Sequence, residues 1–186
     1  MKTLLKQVRL SYPSLFKASG YGDSEPKFSA TMLMDEGGET HTKLMAAIEK
    51  VAKEEFGDKA KAVLKKQDDN SMRRLVKIGN EKTDDEGDVA DGYADMVFMK
   101  ASNKVKPKVI SRAKQELTEA DGKPYAGCVV NVQVDLWAQN NSYGKFINCK
   151  LLAVQFWEDG ESFGGGASAD LDAFDEGEDE ADGEDW

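Results

Sequence analysis

Hydrophobic and polar residues alternate along residues 128–138, as is typical of a β-strand with one buried face. Residues 145–157 are apolar for most of their length and predict a second, more deeply buried strand. The segment between them contains residues that favour turns, and Gly144 can adopt a positive φ. These features predict a long antiparallel hairpin with residues 140–143 as its loop, so that Gln139 faces Gly144.

This register places an aromatic pair on the more polar face of the hairpin. Trp137 lies opposite Phe146, with Lys145 and Lys150 close by and Tyr143 in the loop. Aromatic rings beside cations form the type of surface on which proteins stack the bases of single-stranded nucleic acids. The alternative is that the aromatic pair only stabilises the hairpin.

The remaining pattern predicts strands at residues 3–12, 27–34, 75–78, 93–101 and 105–112, and helices at residues 39–56 and 58–66. Pro13 is expected to end the first strand, because proline has no N–H to donate to a neighbouring strand. Leu4 and Tyr12 are expected on the core face of that strand, and Asp58 is expected to cap the second helix. Antiparallel strands interrupted by one helical insertion predict a mainly β fold, an OB-like barrel of five or six strands.

Cations cluster in residues 100–114, which contain no acidic residue. Alternation places Val105 and Val109 on one side of the predicted strand and most of the cations on the other. Such a row of cations is suited to following a phosphate backbone, although lysines on an edge strand also protect against aggregation. The candidate phosphate-binding residues are Lys100, Lys104, Lys106, Lys108, Arg112, Lys145 and Lys150.

The net charge of −10 is localised at one end of the chain. Residues 161–186 contain 11 of the 35 acidic residues and no Lys or Arg, so residues 1–160 carry 24 acidic against 25 basic residues. We therefore expect a neutral domain over residues 1–160, followed by a flexible, disordered acidic tail over residues 161–186. The tail is expected to bind a protein partner and to compete with nucleic acid for the cationic surface. Its candidate partner-binding residues are Phe174, Asp179, Glu180, Glu184, Asp185 and Trp186.

Several classes of function find no support in the sequence. No apolar run reaches the roughly 18 residues of a membrane span, and the first residues do not resemble a signal peptide. Cys128 and Cys149 lack disulfide or metal spacing, and His41 is expected at the surface. The acidic segment 84–95 lacks the Gly and Glu of a calcium loop. No cofactor and no metal site are predicted.

Two alternatives to nucleic-acid binding come from other classes of function. The acidic surface could belong to a DNA mimic or an adaptor that binds other proteins. A metal-dependent nuclease is less well supported, because the carboxylates lie in loops and helices without convergent spacing. The sequence leaves the oligomeric state open, including a homodimer.

Four short segments resemble the single-stranded DNA-binding proteins of tailed bacteriophages: residues 8–16 (VRLSYPSLF), 26–31 (PKFSAT), 125–131 (YAGCVVN) and 153–156 (AVQF) followed by Asp159-Gly160-Glu161. The resemblance covers about residues 4–163. It implies a non-enzymatic OB-fold protein that coats and protects single-stranded DNA during phage DNA replication, recombination and repair, in the cytoplasm of the infected bacterium. The chain is also similar in plan to the T7-type phage protein, and this similarity implies that the tail engages DNA polymerase and helicase-primase.

Overall fold

The computed structural model describes residues 1–163. The expectations for the acidic tail after residue 163, including its disorder and its six candidate partner-binding residues, lie outside the described residues. Within residues 1–163, two α-helices and seven strands follow in the order β1 (Lys2–Ser19), β2 (Lys27–Asp35), α1 (Glu39–Phe56), α2 (Ala60–Asp68), β3 (Val76–Ile78), β4 (Met96–Asn103), β5 (Lys108–Ile110), β6 (Val129–Asn141) and β7 (Gly144–Glu158).

Five of the strands form a closed barrel. Strand β1 pairs with β2 and β6, β2 pairs with β4, and β6 pairs with β7. Strand β4 closes the barrel on β7 through the parallel pair Ser102–Lys150. The short strands β3 and β5 lie at the two ends of the strand order, and α1 and α2 are inserted between β2 and β3. The predicted OB-like barrel with a helical insertion is therefore confirmed.

The barrel interior is filled by apolar side chains from all five barrel strands. Leu10, Met32, Met99, Val132 and Leu151 are fully buried there. Helix α1 packs against this core through Leu44, Ile48 and Val51, and it spans the predicted range 39–56. No helix within residues 1–163 is long and apolar enough to cross a membrane.

Strand β1 differs from its prediction in length and in the side chains that it buries. It continues through Pro13 to Ser19, with register shifts between Leu5 and Val8 and again after Ser11. Each shift inserts an unpaired residue, which interrupts the alternation of faces. As a result Leu4 is 49% exposed and Tyr12 is 62% exposed, so the prediction that both face the core is wrong.

The hairpin of β6 and β7 has a two-residue loop rather than the predicted four. Asn141 pairs with Gly144, whose φ is +127°, a conformation that glycine tolerates. From the turn to the pair Val134–Leu151 the register is displaced by two residues, which preserves the faces of the strands, and a further shift follows between Gln133 and Val134. Trp137 therefore faces Asn148, and Phe146 faces Gln139. The prediction that Trp137 and Phe146 lie directly opposite each other is wrong.

Two smaller predictions are also corrected. Strand β5 spans only Lys108–Ile110, and Val105 lies in the preceding loop with 70% of its surface exposed, whereas Val109 is buried as predicted. A single 3₁₀ turn, Gly57–Lys59, separates the helices, and α2 begins at Ala60 without a side-chain cap from Asp58.

Candidate nucleic-acid interface

An open groove of about 1050 Å³ crosses the outer face of the barrel. Side chains that alternate along their strands with those of the core form its floor. Across neighbouring strands, Lys100 of β4 lies beside Thr31 of β2, and Ser102 of β4 lies beside Lys150 of β7. Eight cations line the groove: Lys27, Arg73, Arg74, Lys77, Lys82, Lys100, Lys104 and Lys150. No Asp or Glu of the described chain lines it. The groove is therefore strongly cationic, although the body as a whole is nearly neutral.

Only two of the groove cations form ion pairs within residues 1–163. Lys104 contacts Glu25 at 2.6 Å, and Arg74 contacts Glu81 at 3.1 Å. The hydrogen bond from Lys104 lowers the pKa of the Glu25 carboxyl group. The other six cations have no carboxylate within 4.0 Å among those residues, so their charge is available to an anionic ligand.

Aromatic rings lie among these cations. The indole of Trp137 is 36% exposed, with Lys150 Nζ 5.4 Å from the ring centroid. Tyr12 lies 5.6 Å from Lys82 Nζ, and its exposure follows from the irregular pairing of β1 described above. These open rings beside ammonium groups provide the combination of stacking surface and positive charge that suits unpaired nucleotides.

A third ring, Phe98, is supported from below. It packs edge-on against Tyr93 with 5.0 Å between the ring centroids. Tyr93 is almost fully buried, and its hydroxyl donates a hydrogen bond of 3.0 Å to Ser11 Oγ. Burial raises the pKa of Tyr93, which keeps this hydroxyl protonated. The buried hydrogen bond therefore fixes the ring on which Phe98 rests.

The buried amide of Gln67 holds one wall of the groove in place. Its Nε2 donates to the carbonyl oxygens of Ile147 at 2.8 Å and Arg73 at 3.0 Å, and its Oε1 accepts from the Ile147 N–H at 2.8 Å. The end of α2 is thereby tied to β7 and to the segment that carries Arg73 and Arg74. The Arg73 guanidinium lies 4.6 Å above the Phe146 ring, which further restricts its position.

Neither cysteine adds charge to the interface. Both thiols are free, and Cys149 lines the groove. Burial raises the pKa of Cys149 to about 12 and that of Cys128 to about 11, so both remain protonated at neutral pH. Within residues 1–163, no three His, Cys, Asp or Glu side chains lie where they could together hold a metal ion.

The structure brings together four of the predicted site residues and separates the others. Trp137, Lys100, Lys104 and Lys150 all line the groove. Phe146 does not line the groove itself, but its ring contacts the guanidinium of Arg73, which does. The rest lie elsewhere and stay predictions: Tyr143 and Lys145 at the tip of the β6–β7 hairpin, and Lys106, Lys108 and Arg112 before, within and after β5.

Sequence reasoning missed more than half of the groove cations. Lys27 begins β2, and the other missed cations come from residues 73–82, a polar segment with little periodicity. The Arg73-Arg74 pair is a visible signal, but no local pattern indicates that β3 pairs with β4 and brings Lys77 beside Phe98. Regular alternation along β1 predicts Tyr12 in the core, whereas the register shift after Ser11 leaves it exposed.

Known proteins share both the sequence pattern and the fold of this chain. The family model described as Enterobacter phage Enc34, ssDNA-binding protein, matches residues 1–184. A protein of Acyrthosiphon pisum secondary endosymbiont phage 1, named "Putative protein p50", is 34% identical over 179 residues, which cover 95% of this chain and 94% of that protein.

Solved structures agree with this match. The C-terminally truncated single-stranded DNA-binding protein from bacteriophage Enc34 has a TM-score of 0.64 and 29% identity, covering 87% of this chain and 88% of that one. The same phage protein in complex with ssDNA has a TM-score of 0.60 and 28% identity, covering 88% and 89%. The bacteriophage T7 protein gp2.5 has a TM-score of 0.54 with 13% identity over 95% and 97% of the chains, which shows a shared fold. The chain therefore belongs to the family of the Enterobacter phage Enc34 ssDNA-binding protein.

Proposed function

We propose that this chain binds single-stranded DNA without sequence preference and coats and protects it. The observation that carries this proposal is the groove, in which eight cations and open aromatic rings meet and to which residues 1–163 contribute no carboxylate. The solved complex of a phage relative with ssDNA supports the same ligand.

The proposed mechanism divides the work between two kinds of side chain. Lysines and arginines of the groove neutralise phosphates, and the released counterions make the affinity fall steeply with salt. Trp137, Tyr12 and Phe98 offer faces to unpaired bases, and each base stacked in this way contributes about 1–3 kcal/mol. Neither contact reads a base edge, so the binding tolerates any sequence. In a duplex the base faces are already stacked on one another, so a duplex can make only the phosphate contacts and should bind more weakly.

In this proposal the acidic tail has two roles: it recruits replication proteins, with DNA polymerase and helicase-primase as the expected partners, and it competes with DNA for the groove. The point where the tail begins supports the second role. Phe163 N–H donates to the Ala126 carbonyl at 3.1 Å, and its ring lies against Gly92 and 4.3 Å from the Arg9 guanidinium. Gly92 precedes Tyr93, which lines the groove. The 23 residues that follow can extend at most about 80 Å, enough to reach any part of the groove.

We further propose that the protein acts in phage DNA replication, recombination and repair in the cytoplasm of the infected host, as a binding protein rather than an enzyme. The decisive experiment titrates the full chain, and a variant ending at residue 164, with single-stranded and double-stranded oligonucleotides at two salt concentrations. We expect tighter binding to the single strand, weakening with salt. A tail-less body without affinity for single strands would refute the proposal and favour the adaptor alternative. Degradation of DNA after addition of magnesium would favour the nuclease.

Competition by the tail has a separate test. Removal of residues 165–186 should increase DNA affinity at low salt, because the competing anion is lost, and should abolish recruitment of the partner. A full-length control in which the tail Asp and Glu residues become Asn and Gln should show the same gain in affinity. Equal affinities of all three proteins would disprove self-competition without affecting the groove proposal.

A further inference from the structure

A second row of exposed cations lies beside the groove, at the edge of the sheet formed by β5. We call Lys106, Lys108, Arg112 and Lys114 the edge strip. All four side chains are exposed, and within residues 1–163 none has a carboxylate within 4.0 Å. Their charge is therefore uncompensated, as it is for most cations of the groove.

The edge strip continues from one end of the groove. Lys104 and Val105 line the groove, and the chain passes from them directly to Lys106 and into β5. Strand β5 runs parallel to β7, with Lys108 beside Ala153. Lys150 of the groove precedes Ala153 by three residues, which corresponds to about 10 Å along the strand.

Lys108 and Lys150 both lie on the outer side of the sheet. Leu151 and Val154 are fully buried, whereas Lys150 and Ala153 are outside the core. In β5 the neighbour of Lys108, Val109, is the buried residue. Lys108 of the edge strip therefore lies on the same outer surface as Lys150 of the groove.

Arg112 is held in position at the far end of the strip. Its guanidinium lies 4.1 Å from the centroid of the Trp157 ring, and its carbonyl accepts a hydrogen bond of 3.3 Å from Gln155 Nε2. The turn around it is closed by hydrogen bonds from Ser111 N–H to the Gln115 carbonyl and from Lys114 N–H to the Ser111 carbonyl. A planar guanidinium restrained in this way is well suited to bind a phosphate through two N–H groups.

We propose that a single strand longer than the groove leaves it over Lys104 and continues along the edge strip, where its phosphates contact Lys108 and Arg112. This inference rests on the proposed function and extends its site. The competing explanation of these cations is protection of the exposed edge strand against aggregation. That explanation gives the residues no effect on DNA binding, so the two can be separated.

The test compares a short and a long oligonucleotide of thymidines, about 6 and about 16 nucleotides, within the range of site sizes known for OB-folds. The full chain carries the double substitution Lys108→Ala and Arg112→Ala. For the long oligonucleotide we expect at least about tenfold weaker binding at low salt. The slope of the logarithm of the binding constant against the logarithm of the salt concentration should become shallower by about 1.4, which is about 0.7 for each of the two lost phosphate contacts. The short oligonucleotide should bind as it does to the unmodified protein.

The control removes two exposed lysines from α1, Lys50→Ala and Lys53→Ala, and should leave the binding of both oligonucleotides unchanged. Because loss of Arg112 also uncovers Trp157, the pair Lys108→Ala and Lys114→Ala serves as a second variant that keeps this contact. Unchanged binding of the long oligonucleotide in both variants, or an equal loss for the two lengths, would overturn the inference. Failure of the unmodified protein to bind either oligonucleotide would instead refute the proposed function.

Discussion

The groove and the edge strip combine the same residue types but are assembled differently. The edge strip comes from one continuous run, residues 106–114, and is visible in the sequence. The groove collects its cations from β2, from residues 73–82, from β4 and the loop after it, and from β7, and it places exposed rings among them. The cationic surface of the groove is thus created by folding and only partly by local sequence. We therefore expect the groove to dominate the affinity and the edge strip to extend the site.

The largest expected effect separates these two regions directly. Lys100→Glu together with Lys150→Glu replaces two adjacent groove cations with carboxylates. Charged contacts are worth about 1.5 kcal/mol or more each, so single-strand affinity at low salt should fall at least about 10²-fold. Fluorescence anisotropy with a labelled oligonucleotide measures this loss. If this variant lost less single-strand affinity than the variant with Lys108→Ala and Arg112→Ala, the edge strip and not the groove would dominate binding.

Replacement of the exposed ring should have the next largest effect. Trp137→Ala removes one stacking face and should weaken binding by about 1–3 kcal/mol, since the rest of the groove remains. The protein should remain folded, because the indole lies on the outer face of the barrel and not in its core. Trp157→Ala is the matched control at the edge strip, and its effect should be confined to long oligonucleotides. Unchanged affinity of Trp137→Ala would exclude this ring from the site.

The groove wall is expected to depend on Gln67. Gln67→Leu leaves the buried N–H and C=O of Ile147 without their side-chain partner, so the free energy of unfolding should fall by about 2–4 kcal/mol. At temperatures where the variant remains folded, binding should weaken several-fold, because Arg73 loses its restraint. Chemical denaturation and anisotropy measure the two effects. The variant Gln67→Glu keeps an acceptor for the Ile147 N–H but places a buried carboxylate oxygen against the Ile147 and Arg73 carbonyl oxygens, so at neutral pH it should lose at least as much stability.

The smallest effect is expected at the tip of the hairpin. Tyr143 is 80% exposed and lies outside the groove, so Tyr143→Ala should weaken binding less than about threefold. The same anisotropy titration provides the measurement. A loss as large as that of Trp137→Ala would extend the site to the hairpin tip.

Elements with a regular pattern could be predicted from the sequence, and irregular ones could not. Helix α1 has its predicted bounds because Leu44, Ile48 and Val51 recur at helical spacing and Gly57 ends the helix with a positive φ. The β6–β7 hairpin was predicted by alternation, but alternation cannot separate registers that differ by two residues. Strand β1 departs from regular alternation because its register shifts depend on pairing with both β2 and β6, and β6 is distant in sequence.

The candidate site follows the same division. Trp137, Lys100 and Lys150 could be recognised because each lies in a strand whose faces the alternation defined. Tyr12 and Lys77 could not, since one depends on the irregular pairing of β1 and the other on a three-residue strand joined to β4. The positions of Arg73 and Arg74 depend on the buried amide of Gln67, a single contact for which local sequence gives no signal.

Ultraviolet crosslinking of a thymidine oligonucleotide to the full chain, followed by mass spectrometry of the crosslinked peptides, tests the central claim most directly. The account predicts crosslinks at the groove rings Trp137, Tyr12 and Phe98, and their loss when salt is raised. Crosslinks confined to the helices, with none in the groove, would contradict it.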